Sequence, residues 1–466
     1  MTYPRPPHPL PPGHTVELVT DEGAFAALAP QWRRLYDRCV AATPFQSHAW
    51  LLSWWRSYGS AGRLRLVLAR EGGELVAAAP LTLVRRPVPA LVPLGGAISD
   101  YADVLLDDER GPDAESALTA ALAAAARSAL VDLREVRPGA AAERVYARWP
   151  GPRHRLADSL CLELPALPMD DLVARLPSAK ARQRVRAQLR RLDALGVKAR
   201  PVLPDETDAA LRRLLDLHRL QWRGRKVTGE HLRPRFREHL VRAVGPMVRS
   251  GDARVTEFRM ADEVVAVDVT LLSRRLAGGY LYGAHPGLRE RKADVAVMLL
   301  AACAEYARAP GRATLSLLRG DEPYKHHWRP EPVPNQRLLL ARRRTAPLLA
   351  SAPGRRRRPA AGQGAAAAAG GAEGARRWRH LTGPAATAAP SARRYLARVY
   401  QSRRMHSFPP SQYSTQSPSS SGEQSAGVSG VVGGAGGTGG AVGVVGSVGV
   451  GVVGSGSSVR PKSTDR

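Results

Sequence analysis

An α+β fold with a mostly antiparallel sheet, built as two similar halves, is the architecture this sequence predicts, and three observations predict it. The stretch from about 206 to 343 reads helix, helix, a meander of three strands, helix, strand. The first 165 residues contain a strand, helices and a strand hairpin in a comparable order. Each half carries a hairpin with a Gly or Asp turn that ends in an apolar strand. Together they point to duplication.

The N-terminal half, 1–165, begins with the strand HTVELVT and a helix from about Asp21 to Cys39. PFQSHAWLLSWWRSYG follows, with Phe45, Trp50, Leu51, Trp54 and Trp55 at helical spacing. RLRLVLARE and ELVAAAPLTLVRR are strands joined by Gly72-Gly73, a pair suited to a tight hairpin turn. The loop GGAISDYADVLLDD leads to an Ala-rich helix near 112–128, and RHRLADSLCLELP is a further strand.

The second half, 166–346, opens on a basic helix over about 178–195, capped by Ser178 and closed by Gly196. Val185, Leu189 and Leu192 make its apolar stripe; Lys180, Arg182, Arg184, Arg186, Arg190 and Arg191 make a cationic face. Helices over about 206–223 and 231–249 precede the strands ARVTEFRM, EVVAVDVTLLS and RLAGGYLYGAH. A helix near 293–308, the strand RATLSLLR, the loop GDEPYKHHW and the strand NQRLLLARR complete it.

Beyond Ala346 come Arg355 to Arg358, an Ala/Gly tract and a Gly/Ser/Val tract. Such composition buries too little apolar area to offset the entropy of ordering, so 347–466 is expected to be a disordered basic, then Gly/Ser/Val-rich tail or a frame-shifted gene end.

Hydrophobic residues make up 44% of the 466, enough for a sizeable core, and aromatics only 5%, so Leu, Val and Ala must fill it. No apolar run approaches the ~20 residues of a membrane span, and no secretory h-region opens the chain. Cys39, Cys161 and Cys303 form no CxxC pair, which fits a reducing, cytoplasmic setting without a structural metal. The net charge of +28 invites an anionic partner, although a GC-rich codon bias raises the same arginines.

PFQSHAWLLSWWRSYG, REGGELVAAAPL and LGGAISDYADVLL, followed by LLDLHRLQW, GDARVTEFRMADEVVAVDVTL, YLYGAHP and LRGDEPYKHHW, resemble a bacterial GNAT-like family of CelD-type or BioF-associated acyltransferases. The resemblance covers about 15–343 and extends, more distantly, to the Fem-type aminoacyl transferases with their tandem GNAT folds. It implies tandem GNAT-like halves and a donor carbonyl in a splay between RLAGGYLYGAH and RATLSLLR. Tyr280, Tyr282, His285 and the loop after Leu318 would border that splay.

Acyl transfer needs a held donor, a stabilised oxyanion and a proton acceptor. Lys325 is the first candidate: the resemblance implies a charge-stabilising lysine at the Arg319-to-Trp328 motif. Tyr324, Tyr282 and Asp268 join it as catalytic candidates; a carboxylate among valines tends to hold its proton, as a base near neutral pH would. Donor phosphates are expected at Gly287, Arg289, Arg291 and Lys292, where the usual glycine-rich turn is reduced to one glycine. Asp100, Tyr101, Asp103, Trp50, Trp328 and Arg319 are candidate acceptor contacts; packing, loop capping and a local ion pair are their structural alternatives.

The expected activity is transfer from acyl-CoA, acetyl-CoA first, as a co-substrate with no tightly bound cofactor, to an amine or hydroxyl. The acceptor is a polar small molecule or a sugar- or lipid-linked envelope precursor. Two alternatives stand: an aminoacyl-tRNA-dependent transferase, and a degenerate GNAT acting as a binding module. The basic helix and tail make tRNA or an anionic membrane surface candidate partners.

Overall fold

The computed structural model describes residues 9–85, 87–221 and 229–351. These all belong to one compact unit, Met1–Arg403. The readings made for 352–466 lie outside the described residues.

Thirteen strands among the described residues form a single sheet. They are β1 (His14–Val19), β2 (Leu64–Glu71), β3 (Glu74–Val84), β4 (Ala90–Pro93), β5 (Leu105–Leu106), β6 (Leu130–Val136), β7 (Arg153–Pro165), β8 (Val197–Pro201), β9 (Ala253–Met260), β10 (Glu263–Leu272), β11 (Leu276–Ala284), β12 (Thr314–Arg319) and β13 (Glu331–Leu340). Their spatial order is β1-β2-β3-β4-β6-β13-β7-β12-β11-β10-β9-β8, with β5 paired to β3.

Two five-stranded runs, β1 to β6 and β8 to β12, thus flank a central exchange. β13 of the second half inserts between β6 and β7, and β7 of the first half pairs with β12. The sequence boundary at 165/166 is therefore not a boundary in space. Most pairings are antiparallel; β4 with β6 and β11 with β12 are parallel.

The hairpin turn between β2 and β3 is made by Gly72 and Gly73, with φ of 56° and 86°. Positive φ at both central residues matches the right-handed twist of the flanking strands, and only glycine adopts it freely.

The repeat is written into the backbone. In β6, Val136 pairs with Gln336 and Leu133 with Leu338, which leaves one extra residue in β6. In β12, Arg319 pairs with Cys161 and Ser316 with Glu163, which leaves one extra residue in β12. Each bulge contains a non-glycine residue of positive φ, Glu135 at 56° and Leu318 at 55°. Two halves with the same rare bulge at the same strand argue for the duplication more strongly than their sequences do.

Several expectations shift. The helix expected over 21–39 is two, Glu22–Ala27 and Ala29–Arg38, the second beginning with a proline in its first turn. Strands β4, β5, β6 and β8 and the helix Ala141–Arg148 were not expected. The basic helix spans Ala179–Ala194, its N-terminus capped by the Ser178 hydroxyl, which accepts from the Ala181 N–H. Its partly buried Ala181, Val185 and Leu189 pack on the core that includes helix Val295–Ala307, while Lys180, Arg184, Arg186, Arg190 and Arg191 are exposed. The three cysteines are buried free thiols.

Candidate active site

Strand β11 is paired with β12 over Leu276–Gly278 and diverges from it beyond, which opens a splay. Tyr280 sits where the splay opens. It is the extra residue of a bulge, because Gly279 pairs with Thr270 and Leu281 with Val269. Its hydroxyl donates to the Ile98 carbonyl at 2.9 Å, and its ring meets Trp50 edge-on at 5.1 Å. The N-terminal half therefore covers one side of the splay with the loop that follows β4.

The turn after β12 brings the YK pair to this region. Leu318 is left-handed and Gly320 has φ +127°, where a Cβ would lie 2.4 Å from the Glu322 carboxylate. That dihedral favours glycine, while the Glu322 carboxylate could swing away from a Cβ. The turn delivers the short helix Pro323–His326. Lys325 is buried there, 5% exposed. Its ammonium donates to the Arg319 carbonyl at 3.1 Å and pairs with Glu322 at 2.8 Å.

Arg319 points the other way, into the N-terminal half. Its guanidinium reaches Asp100 at 3.0 Å and Glu135 at 2.9 Å and also donates to the Ala97 carbonyl. Its own N–H donates to Asp100 at 3.3 Å. Burial works against the arginine's charge, but Asp100 and Glu135 raise its pKa above the ordinary value. Burial likewise pushes the Asp100 carboxyl up, with Arg319 pulling it back. Asn335 donates to the Asp100 carbonyl and to Glu135, and the Ser159 hydroxyl also donates to Glu135. Beside this group, Tyr101 donates to Glu163, which Arg137 grips with two bonds of 2.8 and 2.6 Å.

The other expected residues divide. Tyr324 is 47% exposed; burial of its hydroxyl end, with Glu322 and Tyr282 nearby, raises its pKa. The Tyr282 hydroxyl accepts from Gln221 at 3.1 Å. Tyr282 and Tyr324 thus lie near each other, with Tyr324 next in sequence to Lys325.

Asp268 is the cross-strand partner of Tyr282 in the β10–β11 pairing. Thr270 donates to one of its oxygens at 3.2 Å, the other oxygen has no partner, and burial pushes its pKa up to about 7. Its neighbours Thr256, Thr270 and Cys303 do not belong to the Lys325 group.

Four acceptor candidates are corrected. Trp50 is fully buried, its indole N–H donating to Ser99 at 2.8 Å. Tyr101 is 1% exposed. Asp103 accepts from the N–H groups of Ala141 and Ala142 at 2.8 and 2.7 Å and so caps the helix Ala141–Arg148. Trp328 is a core residue. Their lone pairs and faces are occupied by the fold, so they frame the cleft rather than touch an acceptor. Asp100 and Arg319 are likewise engaged with each other.

The donor-phosphate candidates are open. Arg289, Arg291 and Lys292 are exposed in the turn before helix Val295–Ala307, and Gly287 begins the short helix Gly287–Glu290. Asp294 caps the longer helix by accepting the Val297 N–H at 3.2 Å. Arg191 of the basic helix donates twice to the Arg291 carbonyl, at 2.9 and 2.7 Å, and joins this cationic corner.

Sequence reasoning missed Glu135, Arg137, Glu163, Ser316 and Asn335. They reach the cleft only through the strand exchange, which no local pattern signals. No described helix is long and apolar enough to cross a membrane.

Residues 179–326 match the family model of the acetyltransferase (GNAT) domain. A conserved protein of unknown function from Bacteroides thetaiotaomicron is similar in structure, with 12% identity over 70% of this chain and 100% of that chain and a TM-score of 0.47. FemX is similar at 11% identity, over 68% of this chain and 98% of that chain, with a TM-score of 0.47. L-PGS from Bacillus licheniformis is similar at 14% identity, over 71% and 95%, with a TM-score of 0.45. No curated protein sequence matches. Residues 179–326, which match the acetyltransferase (GNAT) domain model, supply strands β8 to β12 of the mixed, mostly antiparallel sheet, so it is this part of the chain that is similar to a GNAT domain.

Proposed function

We propose that this protein is an acyltransferase that moves an acyl group from a CoA thioester to an amine or hydroxyl of a polar acceptor. The acceptor class we favour beside the two tyrosines is a sugar or other polyol, as found in envelope or polysaccharide precursors. One observation supports the reading: the buried Lys325 ammonium rests on the carbonyl of Arg319, the last residue of β12, beyond the stretch where β12 pairs with β11.

In the reaction, the acceptor nitrogen or oxygen bonds to the thioester carbon, and the carbonyl electrons move to oxygen. Collapse of that oxyanion breaks the C–S bond, and the thiolate leaves with the acceptor's proton. Two of the ammonium's three protons face Arg319 and Glu322, which leaves one for the oxyanion. One such donor in a dry site contributes about 3 kcal/mol, or roughly a hundredfold in rate. Gly287, Arg289, Arg291 and Lys292 hold the donor's phosphates. Tyr282 and Tyr324 line the way in, and Asp268 is a candidate base.

The test is a panel of short- and long-chain acyl-CoA esters, read by melting temperature and by release of labelled acyl groups. A ligand that binds the native fold raises the melting temperature. A flat response across the panel would remove the CoA reading.

A second reading, an aminoacyl-tRNA donor, is favoured by the exposed arginines of helix Ala179–Ala194 lying beside the donor turn. Its mark is preference for charged over uncharged tRNA, with affinity falling steeply as salt rises.

A further inference from the structure

We infer that Arg319 is a positioning residue, through which the N-terminal half sets the Lys325 ammonium in place. The inference rests on the reading of Lys325 as the oxyanion donor.

Two ends of one residue make the link. The Arg319 carbonyl receives the Lys325 ammonium at 3.1 Å. The Arg319 side chain and N–H are gripped by Asp100, Glu135 and the Ala97 carbonyl, all from the first half. Those grips are themselves braced. The Glu135 N–H donates to Asp158 at 2.9 Å, and Asn335 ties the Asp100 carbonyl to the Glu135 carboxylate. Glu135 lies in the β6 bulge, and Arg319 directly follows the matching bulge residue of β12. Each half therefore contributes its bulge to one joint.

The planar guanidinium matters because its rigid fork of donors meets two carboxylates and a carbonyl in fixed directions, which a rotating ammonium does not hold. Arg319 is followed by Gly320, whose dihedral of +127° L side chains rarely adopt, at the start of the turn that carries Lys325. Loss of the anchor would release that turn and, with it, the carbonyl on which the lysine rests. The first half has no lysine of its own at the corresponding place: the turn after β6 reads Arg137-Pro138-Gly139-Ala140 and leads into Ala141 and Ala142. Its contribution to the reaction is thus the anchor rather than a second centre.

The chain has six lysines, which makes the test clean. Full-length protein is treated with trace acetic anhydride, and acylation of each lysine is followed by peptide mass spectrometry. In the native protein the buried Lys325 should react at least tenfold more slowly than the exposed Lys180 and Lys198. In Arg319→Gln, and in the isosteric Asp100→Asn and Glu135→Gln, Lys325 should react at least fivefold faster, with Lys180, Lys198 and Lys292 unchanged. Turnover should fall at least tenfold with the donor KM unchanged. Unaltered Lys325 labelling in all three variants, with only the melting temperature lowered, would reduce Arg319 to a structural ion pair and overturn the inference. If Arg319→Gln exposes every lysine, the isosteric pair decides the matter. The labelling does not depend on turnover: a fully active Lys325→Met enzyme would sink the catalytic reading and leave the measured hold of Arg319 on the loop intact.

Discussion

Replacing Asp268 by asparagine should stabilise the protein at alkaline pH and do little in acid. The carboxyl is fully enclosed and has one oxygen without a partner, and its pKa rises from 3.8 to about 7, chiefly through burial. A carboxyl with a raised pKa stays protonated in the folded chain while the unfolded chain ionises. Stability is therefore lost as pH climbs from about 4 to 7 and stays reduced above that. Roughly three pKa units correspond to about 4 kcal/mol at pH 8 and about 1.5 kcal/mol at pH 5. Asparagine removes the charge but places an amide where the unpartnered oxygen sits, which costs about 1–3 kcal/mol at any pH. The variant's advantage should thus grow by about 3 kcal/mol from pH 5 to pH 8. For a unit of this size that is roughly 3–5 °C in melting temperature. Thermal denaturation of both proteins at the two pH values measures it. An offset that does not change with pH would refute the claim that Asp268 bears an unpaired buried charge.

Further outcomes follow from single contacts. Arg337 and Asp132 form a buried pair with bonds of 2.6 and 2.7 Å where β13 meets β6, so Arg337→Met should cost about 3–5 kcal/mol in urea unfolding. Gly320→Ala should strain the turn by about 1–3 kcal/mol and slow acyl transfer more than it lowers the melting temperature. Tyr101→Phe removes one bond from Glu163 and one from Ser316, which keep Arg137 and the Leu318 N–H as partners, and should cost about 1 kcal/mol without changing donor affinity.

How much of this was legible depended on how local the signal was. The β2–β3 hairpin was readable because Gly72-Gly73 specifies its own turn. The basic helix was readable from Ser178, Gly196 and the stripe between them. Strand β6 was not, because LVDLREV carries Asp132, Arg134 and Glu135 among its apolar residues. Asp132 and Glu135 pair with Arg337 and Arg319, brought by β13 and β12, while Arg134 reaches Asp132 on its own strand. The β11–β12 splay followed from the family resemblance, and Lys325 was singled out by its motif. Its anchor was invisible, since Arg319 and Asp100 are 219 residues apart and meet only after the strands are exchanged. Trp50 and Trp328 misled because an aromatic beside a loop motif reads alike as a ligand contact and as core.

The central claim is that the Lys325 ammonium works on the donor carbonyl. The most direct measurement is acyl transfer from the CoA ester that binds best to hydroxylamine, a surrogate acceptor, by native protein and Lys325→Met. The account expects kcat to fall about a hundredfold with KM for the donor within a factor of two. Equal kcat in the two proteins, with transfer above the uncatalysed rate, would contradict it.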